Sequence, residues 1–148
     1  MQNSLLELAI KSIRQGIERE TLRVKTDGNL SRGHHQKELG HKLTHPNITT
    51  DYAEALLEII TGVHTKTDDL LEELASHTSF IQKNIGDELL WPYSMPCILP
   101  DDSEIEEAHY GDSYSGRLKT LYRVGLGHRY GKSMQMIAGL HYNFSFNN

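Results

Sequence analysis

Gly16-Ile17-Glu18-Arg19-Glu20-Thr21-Leu22-Arg23-Val24 decides how the rest of the chain is read. Its alternation is that of a β-strand, on which successive side chains point to opposite faces, so Glu18 and Glu20 share one face while Arg19 and Arg23 share the other. Neighbouring carboxylates repel unless positive charge stands between them, and a hard divalent cation such as Mg2+ is one solution. A solvated edge strand with alternating charges is the other reading of the same residues.

Upstream, Ser4 with Glu7 has the form of a capping box, and Leu6, Ala9, Ile10 and Ile13 recur at helical spacing. This predicts a helix over about Leu5 to Gln15, ended by Gly16. Downstream, Asp27-Gly28-Asn29 signals a turn, and the polar stretch Ser31 to Thr44 reads as an exposed loop. A mostly buried strand is expected at about Leu56 to Thr61. Glu58 inside it is an acid in apolar surroundings, which costs free energy unless it is paired, protonated or bound to a cation.

Thr67, with Asp68 and Asp69 in the first turn, opens a helix whose core stripe is expected to be Leu71, Leu74, Thr78, Ile81 and Ile85, closed by Gly86. Two prolines make Trp91 to Cys97 an extended loop. The acidic patch Asp101 to Glu107 reads as a solvated turn or helical turn rather than a metal site. A third helix follows Tyr110-Gly111-Asp112 on Leu118, Leu121, Tyr122 and Leu126, weakened in its later half by Gly125, Gly127 and Gly131. In the last segment His141, Asn143 and Ser145 alternate with large apolar residues, the pattern of a half-buried strand with a polar face.

Three strands thus each offer polar ligands from one face: Glu18 and Glu20, then Glu58 with Asp51 just ahead of it, then His141 and Asn143. Carboxylates with one imidazole suit Mg2+ or Mn2+ better than structural zinc. Competing signals are weaker. His34, His35, His41 and His45 lie in a polar loop, Gly125-x-Gly127 lacks the context of a dinucleotide fingerprint, and neither Ser94 nor Cys97 has an adjacent base.

Composition bounds the function. The chain has 148 residues, one domain's worth, with 37% hydrophobic and 24% charged residues and a net charge of −5, which gives no global attraction for nucleic acid or an anionic membrane. No apolar run reaches bilayer length and no secretory signal pattern opens the chain, so a cytoplasmic location is expected. Cys97 is the only cysteine, which excludes an intrachain disulfide and fits a reducing compartment.

Five segments together resemble the glutamate–cysteine ligases of the gamma-proteobacterial type: Gly16 to Val24; Ile48-Thr-Thr-Asp-Tyr-Ala-Glu-Ala-Leu-Leu-Glu-Ile-Ile-Thr61; Trp91-Pro-Tyr-Ser-Met-Pro-Cys97; Tyr110-Gly-Asp-Ser-Tyr-Ser-Gly-Arg117; and His141-Tyr-Asn-Phe-Ser145. The resemblance implies an α+β fold, part of a glutamine synthetase-like antiparallel sheet with flanking helices, and a single catalytic domain of which residues 1–148 are the N-terminal part. It implies ATP-dependent ligation of L-cysteine to the γ-carboxylate of L-glutamate through γ-glutamyl phosphate. Glu18, Glu20, Asp51, Glu58 and His141 would bind the metal, and Tyr52, Tyr122 and Gln135 would line the amino-acid pocket. Family members are several hundred residues long, so the 148-residue chain alone is expected to be inactive and prone to self-association through an exposed sheet edge. The alternatives are a related carboxylate–amine ligase with another amine acceptor and a non-catalytic remnant that binds metal or a partner chain.

Overall fold

A computed structural model describes residues 13–146. Its framework is one antiparallel sheet. The central strand β1 (Ile13–Val24) pairs along one edge with β3 (Leu56–Ile60), which pairs in turn with β2 (Ile48–Thr50). Along its other edge β1 pairs first with β5 (Leu140–Phe146) and then, over its last two residues, with β4 (Leu89–Leu90). Helix α1 (Thr67–Asn84) joins β3 to β4, and helix α2 (Tyr114–Tyr130) precedes β5.

Strand β1 begins three residues earlier than the helical spacing predicts. Ile13, Arg14 and Gln15 are extended because they pair with Phe146, Ser145 and Phe144 of β5, and that pairing overrides local helical periodicity. Gly16 therefore ends no helix; it sits mid-strand opposite Asn143, and a Cβ there would stand 3.3 Å from the Gly62 carbonyl oxygen. The remainder of the expected first helix, Leu5 to residue 12, lies outside the described residues.

One face of the sheet is covered by α1. Leu57 and Ile59 of β3 and Ile48 of β2 pack with Leu39, Ile81 and Ile85, flanked by Leu74 and Leu90. The helix buries Leu70, whereas Leu71 is 50% exposed, so the stripe is Leu70, Leu74, Ile81, Ile85 and the expected Leu71 is displaced from it. One residue is a rotation of about 100°, enough to carry Leu71 off the contact face. Gly86 takes φ +65° just past the helix, the left-handed geometry that favours glycine at such an exit.

The opposite face changes character along β1. At its C-terminal end Leu22 and Val24 pack with Leu56, Tyr52, Ala53, Ala55, Ile105 and Met136 in a second core cluster. At its N-terminal end the same face carries Glu18 and Glu20 and is open. Helix α2 forms as expected, is capped by Ser113, and runs through Gly125 and Gly127 to stop at Gly131. Gly127 is needed there because a Cβ would stand 2.4 Å from the Tyr52 hydroxyl. Of the apolar residues that signal α2, Leu126 packs partly buried against the second core cluster, whereas Leu118, Leu121 and Tyr122 are all more than half exposed, and Gly116 is the helix's buried residue. Strand β5 is likewise exposed on both faces rather than half-buried.

Two loops carry more than their composition predicts. In the Ser31 to Thr44 segment, Ser31 and Leu39 are buried and His35 is partly so, because Glu88 accepts from Ser31 Oγ and forms a 2.6 Å ion pair with the fully buried Arg23. Lys42 pairs with the buried Glu54. In the acidic patch, Asp102 accepts from Ser133 N and Oγ, both at 2.7 Å, and from Lys132 N at 3.1 Å, tying the chain to the turn after α2.

Ile81→Ala, which empties the α1–sheet contact, is expected to cost about 2–5 kcal/mol in denaturant unfolding. Leu71→Ala is expected to cost under ~0.5 kcal/mol. Equal costs would remove Leu70 and Ile81 from their assigned contact face.

A candidate metal centre

The register of β1 and β3 builds the site. Glu20 stands directly opposite Glu58, and Glu58 opposite Thr49 of β2, so three strands present polar side chains in one cross-strand row. Directly opposed residues on an antiparallel pair have Cβ atoms roughly 4.5–5.5 Å apart. In the neighbouring row Glu18 stands opposite His141, whose Nδ1 lies 3.8 Å from Glu18 Oε2. Asp51 enters from the loop after β2.

The electrostatics are those of crowded like charges. Burial, then the charges of Asp51, Glu20 and Glu18, push the Glu58 carboxyl up to about 7, while Arg123 pulls in the opposite direction. Burial also raises Glu20, against a 2.6 Å hydrogen bond that its Oε2 accepts from Gly139 N. A cation placed among these groups would favour their ionised forms, and the donor set of carboxylate oxygens with one imidazole fits a hard divalent ion. Among the described residues no three His, Cys, Asp or Glu side chains already converge as a metal cage. Glu20 is turned to Gly139 and Glu18 toward His141.

The residues expected to line an amino-acid pocket are not gathered in this way. Tyr52 is 1% exposed inside the second core cluster, so it is a core residue rather than part of an open wall. Its hydroxyl has no hydrogen-bond partner among the described residues, and burial, with Glu107 and Asp102 nearby, pushes the phenol up to about 12. Tyr122 is 64% exposed on α2, and Gln135 is half-buried in the 3-10 turn Ser133–Met136. The four loop histidines do not assemble. His45 Nδ1 accepts from Asn47 N and Ile48 N, His41 Nδ1 accepts from Leu43 N, and His35 bonds the Gly40 carbonyl. Burial lowers His35 to about 4.

Gly139, Tyr110 and Arg123 enter the site although the sequence marks none of them as a site residue; Tyr110 opens one of the five family-like segments. Each acts through a backbone group that no spacing rule reveals: Gly139 N on Glu20, and Tyr110 Oη and Arg123 Nε on the Asp51 carbonyl.

The family model described as glutamate-cysteine ligase matches residues 1–148. The chain belongs to the glutamate–cysteine ligase family. Glutamate–cysteine ligases from Alcanivorax borkumensis and Yersinia pseudotuberculosis are 53% and 55% identical to it, each over 93% of this chain and 26% of the relative. The chain thus spans about a quarter of the length of these curated family members. The fold is shared as well. A crystal structure of glutamate–cysteine ligase from Francisella tularensis in complex with AMP superposes with a TM-score of 0.89 at 49% identity, covering 91% of this chain and 27% of that one. A bifunctional glutathione synthetase from Pasteurella multocida superposes with a TM-score of 0.86 at 32% identity, over 99% of this chain and 19% of that one. The α+β architecture, an antiparallel sheet with two helices, is therefore that of ligases in this family.

Glu58 supplies a test of the crowding. Its folded carboxyl titrates at about 7, against 4.5 for the ordinary group, so the protonated form is favoured by folding. The associated stability is fully present below about pH 4.5 and is lost as pH rises through about 7. Glu58→Gln, which keeps the shape without the charge, is expected to melt progressively higher than the wild type across that window. Wild-type and variant curves that run parallel from pH 4.5 to 7 would show Glu58 to be unperturbed.

Proposed function

We propose that these residues form the metal-binding wall of an ATP-dependent ligase that joins the amine of L-cysteine to the γ-carboxylate of L-glutamate, the first step of glutathione biosynthesis. The observation that carries the reading is the Glu20–Glu58 pair, two acids held opposite one another on an open sheet face with Asp51 beside them. Phosphoryl transfer is catalysed mainly by positioning and by neutralising phosphate charge, which is the use such a face has. Glu18, Glu20, Asp51, Glu58 and His141 would hold Mg2+ or Mn2+. The ion would supply charge neutralisation for the ATP phosphates.

In the reaction ATP phosphorylates the γ-carboxylate of glutamate, and the cysteine amine then displaces phosphate from γ-glutamyl phosphate to form the amide. Tyr122 and Gln135 would line the amino-acid pocket, with Tyr52 buried in the second core cluster. ATP as co-substrate is supported by the AMP-bound Francisella relative. The setting is the cytoplasm, in keeping with described helices of which none is long and apolar enough to cross a membrane.

Residues 1–148 by themselves are inactive and self-associate through β5, whose Tyr142, Phe144 and Phe146 are exposed beside an edge that is unpaired among the described residues. ADP release dependent on both L-glutamate and L-cysteine is expected from a chain extended to family length and absent from the 148-residue chain. Release by the short chain would overturn the requirement for the longer one, and none from the long chain would overturn the assigned reaction. Calorimetric titration with Mn2+ is expected to give binding to the wild type that Glu20→Ala weakens.

A further inference from the structure

Asp51 is the one acid of the group that no strand holds. Glu18 and Glu20 ride on β1 and Glu58 on β3, whereas Asp51 follows the last residue of β2 in the loop leading to β3. Its place is set through its peptide groups. Asp51 N donates to the Leu56 carbonyl at 2.9 Å, which closes the loop. The Asp51 carbonyl accepts from two side chains that come from outside the sheet, Tyr110 Oη at 3.2 Å and Arg123 Nε.

Both donors are themselves held. Tyr110 is 1% exposed, its single hydroxyl proton is shared between the carbonyls of Asp51 and Thr50, the latter at 2.5 Å, and its oxygen accepts from Thr50 Oγ1 at 3.1 Å. The Arg123 guanidinium lies 4.5 Å from the Tyr110 ring centroid and donates from Nη1 to the Lys119 carbonyl at 3.0 Å. The segment leading to Tyr110 is anchored beside the same loop by Ala108 N, which donates to the Tyr52 carbonyl at 2.9 Å, and by the Ala53–Glu107 bridge. A phenol and a guanidinium stacked on one another thus grip the peptide of a residue whose carboxylate acts on Glu20 and Glu58.

We propose that Tyr110 and Arg123 are positioning residues for a divalent cation, fixing the Asp51 peptide beside the Glu20–Glu58 row so that the loop carrying its carboxylate is already ordered when the ion arrives. The inference rests on the metal-site reading above. A loop ligand left free would have to be ordered at the moment of binding, and groups that orient ligands in this way typically carry 10- to 100-fold of metal affinity.

The test is Mn2+ binding to the 148-residue chain, read from the electron paramagnetic resonance signal of free Mn2+, with far-UV circular dichroism to verify folding. Tyr110→Phe keeps the ring under Arg123 and removes the hydroxyl. It is expected to raise the Mn2+ Kd about 10-fold. Arg123→Lys keeps the charge and removes the Nε donor, and is expected to weaken binding in the same direction. An effect of charge alone would leave Arg123→Lys like the wild type. In an Asp51→Asn background Tyr110→Phe is expected to add nothing further, because the hydroxyl acts through Asp51.

An unchanged Kd for folded Tyr110→Phe, or an equal loss in the Asp51→Asn background, overturns the positioning role. If Glu20→Ala still weakens Mn2+ in that case, the metal site stands without it. Failure of the folded wild type to bind Mn2+ overturns the metal site and the positioning role together. Should Tyr110→Phe not fold, Arg123→Lys decides by the same criteria, alone and in the Asp51→Asn background.

Discussion

Strand β1 is hydrogen-bonded along both edges, to β3 over residues 18–22 and to β5 over residues 13–19. Glu18, Glu20, Glu58 and His141 take their positions from that double pairing. With a side-chain period of two, a one-residue slip against β3 would turn Leu57 and Ile59 away from α1 and place Glu58 in their stead. The apolar contact with Ile81 and Ile85 therefore holds the register, and the register sets Glu20 against Glu58. Acid crowding on one face is a consequence of hydrophobic packing on the other.

The far end of the same strand holds charge by different means. Arg23 is fully buried, yet its guanidinium reaches Glu88 and the carbonyls of Gly33 and Glu54, so the desolvated cation is largely compensated. Glu54 is compensated by Lys42 and by a 2.7 Å bond from His109 N, and these contacts together draw the 31–44 loop and the 102–110 segment onto the sheet. Charge on β1 is thus of two kinds. Arg23 is matched by protein partners, whereas Glu20 and Glu58 face one another with the Gly139 amide and His141 relieving Glu20 and the Arg123 guanidinium relieving Glu58.

How much of this could be read beforehand follows from the range of each interaction. Alternation alone placed Glu18 with Glu20, the β3 segment and the His141 to Ser145 strand, because a period of two is a local property. The aspartates after Thr67 marked the start of α1 for the same reason. Ile13 to Gln15 misled because their helical spacing is local while their partners, Phe144 to Phe146, lie at the other end of the sequence. Leu118, Leu121 and Tyr122 misled differently: amphipathic spacing shows that a helix has an apolar face, but not that anything described covers it. The opposition of Glu20 and Glu58 required the register, and the grip of Tyr110 on Asp51 required the fold, since a backbone carbonyl leaves no trace in composition.

The pairing of β1 with β5 also has a consequence in time. The two strands are separated by more than a hundred residues, as the Glu20–Gly139 bond across 119 positions shows. Non-local pairings of this kind must meet the entropy of closing a long loop before they gain anything, which makes them slow. At synthesis rates of about 5–20 residues per second, β1 leaves the ribosome on the order of ten seconds before β5. Through that interval one edge of the strand that bears Glu18 and Glu20 is without its β5 partner. Those two carboxylates, repelling any second copy of the same edge, would then act as gatekeepers for the nascent chain.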